Sequence, residues 1–412
     1  MTALVPAGRI APQPWMEEPA TQTVLAALAA GGAAALFVGG AVRDTLLHRA
    51  IGDIDLATPA PPERITALLK ERGIKVVPTG FAHGTVTAVV PPRHFEITSL
   101  RRDVETDGRH ARVVFGADWA ADAARRDFTM NAIFLAPDGT LYDPVGGLAD
   151  LQAGRVRFVG DPAARIAEDV LRLLRYYRFE ARFGRAAGDA DARAACRAAA
   201  PLLPSLSAER VAQELLRLLN TQNPVPALGM MREDGVLAVI LPEARRIDRL
   251  ERLLAVESEP DALLRLAALV EGDAAGMAAM AERLRLSNAD CDRLVGLAAP
   301  WPLDPAADRR GWRRALYRLG AERARDLALL LAAEGRMSRE RLAEFVVLAR
   351  AWTPPDFPLS GRDVLALGIP PGPRVGHLLA VVRTWWEAGD FAADRTRCLA
   401  RLKEIAAEGA SG

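Results

Sequence analysis

The sequence predicts an α/β head followed by a long all-α region, and three observations carry that prediction. Short apolar runs suited to strands alternate with helical patterns only up to about residue 145. Beyond that point apolar residues recur at three- and four-residue spacing. The 412 residues suffice for roughly three domains at about 150 residues each. Hydrophobic residues make up 50% of the chain and charged residues 25%, a balance that folds without disulfide or metal staples. With 53 Lys+Arg against 52 Asp+Glu the net charge is +1, so attraction of the whole molecule to nucleic acid is not implied and any polyanion site must be a local patch. Lysine stands only at Lys70, Lys75 and Lys403; the remaining cations are arginines, whose planar guanidinium suits phosphate forks and base edges.

In chain order, LFVGG (36–40) reads as a strand and AVRDTLLH (41–48) as the helix that follows it. DIDLAT (53–58) is a second strand, and PPERITALLKERG (61–73) a helix opened by prolines and closed by Gly73. TVTAVV (85–90) and RHFEITSL (93–100) form an antiparallel pair across the Pro91–Pro92 turn. From Asp161 to Phe183 the positions Ile166, Val170, Leu173, Leu174, Tyr177 and Ala181 predict one long amphipathic helix. Breaks fall at DPVGG (143–147), Asn223–Pro224, Pro300–Pro302 and TPPDFPLSG (353–361). Cys196, Cys291 and Cys398 are far apart, which supports neither a disulfide framework nor a cysteine zinc site and points to a reducing cytoplasm. No leader and no membrane-spanning run is read.

Asp53 and Asp55 are two apart on a strand, so both carboxylates project to one face while Ile54 and Leu56 face the other. Acids so placed repel unless a cation lies between them, and hard oxygen ligands favour Mg2+. Glu96, between Phe95 and Ile97 on a later strand, is a third acid for the cluster. Upstream, Gly39-Gly40 closes a strand just where the helix bearing Arg43 begins, a turn suited to close approach of phosphates. Either motif alone reads first as structure, the acids as a solvated strand end or turn and the glycines as a tight strand-to-helix turn with Arg43 solvated. A phosphate cradle and metal ligands within twenty residues together point to phosphoryl or nucleotidyl transfer.

FVGGAVRDTLLHRAIGDIDLAT (37–58) resembles the signature motif of class II tRNA nucleotidyltransferases and bacterial poly(A) polymerases. HGTVTAVV (83–90), FEITSLRRD (95–103), DGRHARVVF (107–115), RRDFTMNAIF (125–134), YDPVGG (142–147), EDVLRLLRYYRF (168–179) and SAERVAQELLRLL (207–219) follow in the family's order. GRDVLALGIPPGPRVGHLL (361–379) resembles a carboxy-terminal segment of bacterial members. The resemblance implies a polymerase-β-like nucleotidyltransferase head over 1–143, a helical neck for base selection over 144–224, and a tRNA-binding body and tail over 225–412. It also implies that Asp53 and Asp55 hold two Mg2+ ions with Glu96 as third carboxylate, and that Arg125, Arg126, Asp127 and Asn131 contact the nucleotide's sugar and phosphates. DPVGG would be a hinge, and DGRHARVVF matches the flexible loop of enzymes that add all of C, C and A.

Glu168, Asp169 and Arg172 match the family's base-selecting motif. Asp169 and Arg172, three apart, would share one helix face, where an intrahelical ion pair is the plain alternative. Cytosine and adenine both present an amine donor beside a ring-nitrogen acceptor, and uracil and guanine a carbonyl beside an N–H. An aspartate acceptor with an arginine donor therefore fits C and A and opposes U and G. The implied activity is CCA addition to tRNA from CTP and ATP, with no DNA partner and no membrane. A poly(A) polymerase would carry a basic G-R-R-F-like stretch where this chain reads TGFAHGTVTAVV (79–90), a departure that favours CCA addition. An enzyme adding only the terminal A and a catalytically silent RNA-binding protein remain alternatives. Tyr176-Tyr177 and Trp385-Trp386 read as core rather than base-stacking pairs, and the arginines of 185–197 and 308–318 as phosphate-contacting or simply solvated faces.

Overall fold

A computed structural model describes residues 4–81, 84–107, 110–185 and 188–408, without the side chains of 102–114. The chain forms two compact units, Met1–Pro242 and Glu243–Gly412.

The first unit holds strands β1 (Pro6–Arg9), β2 (Leu36–Val38), β3 (Ile54–Thr58), β4 (Lys75–Gly80), β5 (Thr85–Val90), β6 (Arg93–Ser99), β7 (Arg101–Asp107), β8 (His110–Phe115), β9 (Phe134–Leu135) and β10 (Thr140–Tyr142). Eight of them make one sheet in the order β1-β10-β9-β2-β3-β6-β5-β4, and β7 pairs with β8 as a separate hairpin. Among the described residues the sheet is antiparallel throughout except where β3 runs parallel to β6. The β5–β6 pair joins Val90 to Arg93 across the proline turn, as the sequence predicts. Pro62–Glu71 is the expected helix, with Gly73 left-handed after it.

Elements the sequence reading lacks are short or locally featureless. β1 reads PAGR, is exposed along its length, and is a strand because β10 pairs with it. The opening helices Pro14–Glu17 and Pro19–Ala30 anchor the turn region through Trp15, whose indole N–H donates to Thr45 Oγ1 at 3.1 Å and whose ring meets Phe37 edge-on. The segment resembling the family's flexible loop is the β7–β8 hairpin; its tip at 108–109 and its side chains lie outside the described residues, as does His83.

The single helix expected over 161–183 is two helices, Pro162–Glu168 and Leu171–Phe183. Asp169 breaks it, with an extended backbone (φ −154°, ψ 106°) and a carboxylate that accepts the Leu171 N–H at 3.1 Å. A side chain that captures a backbone donor competes with the helical ladder, so Asp169 and Arg172 do not share a helix face. The second of these helices, the neck helix, buries both Tyr176 and Tyr177. Tyr177 donates to Asp234 Oδ2 at 2.9 Å, and Arg193 and Arg197 bind the same carboxylate at 2.8 and 2.7 Å. Those bonds tie the turn between Val225–Glu233 and Val236–Ile240 to the neck helix, within the first unit.

The second unit is helical from Ile247–Leu254 to Arg395–Glu408. Trp386 is buried in it and Trp385 is 38% exposed, one ring of the pair facing inward. Arg309, Arg313 and Arg318 of the second arginine-rich stretch pair with Glu344, Asp390 and Glu387, so these three are committed within the fold. No helix among the described residues is long and apolar enough to cross a membrane.

DPVGG is a capped helix start. Asp143 accepts the N–H groups of Gly147 and Leu148 at 2.7 and 2.9 Å, and a Cβ on Gly147 would lie 2.1 Å from the Thr129 carbonyl oxygen. Gly147→Ala is expected to force two backbones apart and lower stability by about 1–3 kcal/mol, read as a shift in the urea midpoint at unchanged slope.

Candidate active site

The parallel register of β3 and β6 sets Asp55 directly beside Glu96, while Ile54 and Leu56 point into the core. Asp53 is exposed and stands one residue before β3. Gly39 is left-handed (φ 76°) at the end of β2, and a Cβ there would meet Asp55 Oδ2 at 3.0 Å, so glycine is what lets the turn close over the carboxylate. Burial, then the charge of Glu96, and to a smaller extent Asp53, push the Asp55 carboxyl up to about 7 against the opposing pull of Arg126 and Arg43. A site that resists ionisation this way, with only carboxylate oxygens to offer, fits a hard divalent cation. Among the described residues no three such ligands are gathered closely enough to enclose an ion. Mg2+ sites of one or two carboxylates are completed by substrate phosphates, and Asp55 with Glu96 can begin such a set.

Around the acids every predicted arginine is held by a partner. Asp122, fully buried, grips Arg125 at 2.6 Å and Arg126 at 2.8 Å. Burial alone would raise the Asp122 pKa, but the two guanidinium charges hold it below the usual carboxylate range. Gly40 opens the helix Gly40–Leu46, and Arg43 on it is buried, donating to Asp44 at 2.9 Å and to Asn131 Oδ1 at 2.6 Å, with its guanidinium 4.3 Å over Phe183. Asn131 in turn donates to Asp127 Oδ1 at 3.0 Å, and Arg175 of the neck helix binds Asp127 Oδ2 at 2.5 Å. This chain of bonds couples the glycine turn to the neck.

Arg172, Arg175, Arg178 and Arg182 recur at three- and four-residue spacing and form a stripe on one face of the neck helix. Arg172 pairs with Glu168 and donates to the carbonyl oxygen of Arg165 at 3.0 Å and, more loosely, of Arg125 at 3.4 Å. Asp169 is bound instead by Arg210, whose Nη2 lies 2.8 and 3.1 Å from its two oxygens. The two base-selecting candidates are thus neighbours at the helix start without being partners.

Residues 35–157 match the family described as "Poly A polymerase head domain", and 189–247 the one described as "Probable RNA and SrmB- binding site of polymerase A". The "CCA tRNA nucleotidyltransferase 1, mitochondrial" of Danio rerio is 32% identical over 89% of this chain and 86% of its own. The chain belongs to the class II CCA-adding enzyme and poly(A) polymerase family. The "CCA-adding enzyme" of Levilactobacillus brevis is 32% identical over 88% of this chain and 91% of its own. The crystal structure of the Bacillus stearothermophilus CCA-adding enzyme in complex with CTP superposes with a TM-score of 0.81 at 29% identity, covering 96% of this chain and 99% of that one.

The structure brings the candidate residues Arg43, Arg125, Arg126, Asp127 and Asp169 into contact with partners the sequence motifs do not single out: Asp44, Asp122, Arg175 and Arg210. Their signal was available for Arg175, one turn past Arg172, and absent for Asp122, an acid in an Ala-rich helix start.

Folded Asp55 keeps its proton up to about pH 7, whereas the unfolded side chain loses it near 3.8. The folded state therefore binds more protons in that window, and the unfolding free energy falls as pH rises through it. In chelated buffer Asp55→Asn is expected to be more stable than wild type at pH 8, by at most about 4 kcal/mol, and equal to it near pH 4. Glu180, also pushed to about 7 by burial, keeps its share of the slope in both proteins, so the difference in urea midpoints isolates Asp55.

Proposed function

We propose that this chain builds the tRNA 3' end, adding C, C and A from CTP and ATP with Mg2+ and without a nucleic-acid template. The observation that carries the reading is the Asp55–Glu96 pair, set side by side in a parallel register and roofed by the Gly39 turn. The names of the relatives and the CTP of the similar crystal structure support the same choice of substrates. Asp55 and Glu96, with Asp53 at the strand entry and substrate phosphates completing the set, would hold a divalent cation, which when bound would neutralise phosphate oxygens and acidify the attacking hydroxyl. Arg126 and Arg43, pinned by Asp122 and Asp44, place fixed positive charge beside the acids and need little reorganisation when a triphosphate arrives. Three unpaired thiols, two of them buried, suit the reducing cytoplasm as its compartment.

Asp169 can accept from a base amine and still keep Arg210, because a carboxylate offers about four lone-pair sites. The Nη1 of Arg172 is occupied by Glu168 and a carbonyl, which leaves Nη2, weakly bonded at 3.4 Å, to donate to a ring nitrogen. Asp169→Ala should relax rejection of UTP and GTP, and Arg172→Ala should lower use of CTP and ATP together. Both effects are expected at roughly ten- to hundredfold in kcat/KM, measured with all four nucleotides on a tRNA ending before the first C. Retention of the wild-type preference by both variants would move base selection elsewhere.

The reading as a whole is tested with tRNAs lacking 0, 1, 2 or 3 terminal nucleotides, Mg2+ and both triphosphates, followed by sequencing of the products. Completion to CCA and arrest is expected. Long A tracts would instead indicate poly(A) synthesis, and product only from tRNA lacking one residue an A-adding enzyme. Asp53→Ala and Asp55→Ala should each abolish C and A addition while tRNA binding, followed by gel shift, persists.

A further inference from the structure

The second unit contains a cavity of about 520 Å3 that nucleotidyl transfer does not use. That volume suits one small ligand, for which about 300–1,000 Å3 is usual. Three buried leucines from three helices meet at its floor: Leu264 of Ala262–Leu269, Leu329 of Ala321–Ala333 and Leu342 of Arg339–Ala351. The last of these helices also presents Arg339, Ala343, Val346, Val347 and Arg350 to the cavity, and their three- and four-residue spacing makes one continuous stripe. Val347 is 67% exposed, an apolar side chain left in water at the rim. The segment 255–261 supplies a further wall, so the surface is a concave well rather than a flat helix face. Among the described residues no aromatic ring lines it, and a nucleobase therefore has nothing to stack on.

The carboxylates at this well are committed elsewhere. Glu257 pairs with the buried Arg265, and Asp261 caps its helix through the N–H groups of Leu263 and Leu264 while binding Arg293 at 2.6 Å. Asp326, fully buried, takes Arg293 at 2.7 Å and leaves Arg325 a loose contact at 3.4 Å. Arg339 and Arg350 are exposed and have no ion pair or side-chain hydrogen bond among the described residues. Against these three arginines the rim sets one open acid among the described residues, the exposed Glu259. The five residues 334–338 fold Arg339–Ala351 back along Ala321–Ala333 as an antiparallel pair, which puts Arg325 toward the same end as Arg350. Arg339 stands at the other end, eleven residues or about 16 Å away along the helix axis.

We propose that this well binds a single-chain aliphatic acid, with its carboxylate between Arg325 and Arg350 and its chain lying over the three leucines toward Arg339. Unspent positive charge at the rim selects an anionic head, and aliphatic walls without a ring select a chain rather than a base or an aromatic body. A carboxylate offers about four lone-pair sites, enough for two guanidinium groups at once. The site goes beyond nucleotidyl transfer, shares no residue with the acids of the first unit, and stands or falls independently of that reading.

The experiment titrates the full chain with monomeric dodecanoate by calorimetry, where saturable binding of one molecule per chain is expected. Across octanoate, decanoate and dodecanoate the Kd should fall by up to about fourfold for each methylene buried. Arg325→Ala and Arg350→Ala should each raise the Kd for dodecanoate roughly ten- to hundredfold, and uncharged dodecanol should bind more weakly by a similar factor. Arg339→Ala removes the same charge at the far end and should leave the Kd nearly unchanged. Ala343→Trp fills the well from an exposed helix position without touching a charge and should abolish binding; Val347→Asp takes its place if the tryptophan variant does not fold. Equal losses in all three arginine variants would reduce the effect to diffuse attraction and overturn the proposal, as would dodecanol binding as tightly as dodecanoate or no saturable binding at all. Sedimentation with phosphatidylglycerol vesicles but no binding of monomeric dodecanoate would make this face a membrane surface and overturn it too.

Discussion

Two carboxylates forced side by side are the constraint around which the first unit is arranged. Parallel pairing of β3 with β6 fixes Asp55 against Glu96, and hydrogen bonding along both strands prevents either from backing away. The repulsion between them, with burial, holds the Asp55 carboxyl near neutrality, a cost in stability that the bare protein bears. Such strain persists only where the surroundings over-determine it. Here they do: Ile54 and Leu56 of β3 and Phe95 and Ile97 of β6 are buried on the opposite face, so a one-residue slip of either strand that separated the acids would turn its two core side chains out.

Charge around that pair is organised by buried anions rather than by free cations. Asp122 is inaccessible, yet it fixes Arg126, whose charge pulls on Asp55, together with Arg125, and Asp127 joins the head's Asn131 to the neck's Arg175. An unpaired buried carboxylate would be expensive, so each anion compels its arginines to stay where they are. The positive charges are thus positioned before a triphosphate arrives, and the cost of ordering long side chains falls in folding instead of in substrate binding.

Motif-bearing parts of this arrangement were legible in the sequence and the supporting parts were not, for a physical reason. Asp53, Asp55 and Glu96 announce themselves because acids alternating with Ile and Phe on a strand conflict with local burial preference, and Gly39-Gly40 because paired glycines matter only where backbones close tightly. Asp122 and Arg210 conflict with nothing locally. Each is an ordinary polar residue on an amphipathic helix, and its meaning lies in a partner 3 or 41 residues away. The strand β1 was invisible on the same ground, since PAGR has neither alternation nor burial and its order is imposed by β10.

The break at Asp169 shows how a gap in the backbone ladder can hide inside a correct pattern. Ile166, Leu173, Leu174 and Tyr177 are all buried, so the apolar period that predicts one helix is faithfully used, and it continues across two helices that bury the same side. Periodicity reports which residues face the core; it does not report whether the hydrogen-bond ladder between them is continuous. At Asp169 the ladder gives way to a side-chain bond from the Leu171 N–H, and the extended residue turns its carboxylate toward Arg210. A carboxylate in an unbroken helix would instead point along the i, i+3 direction into Arg172 and be neutralised there. By leaving the helix, Asp169 pairs with Arg210 instead of Arg172, so the acceptor and the donor at the helix start are not spent on each other, and that separation is what the proposed reading of a base by complementary hydrogen bonds requires.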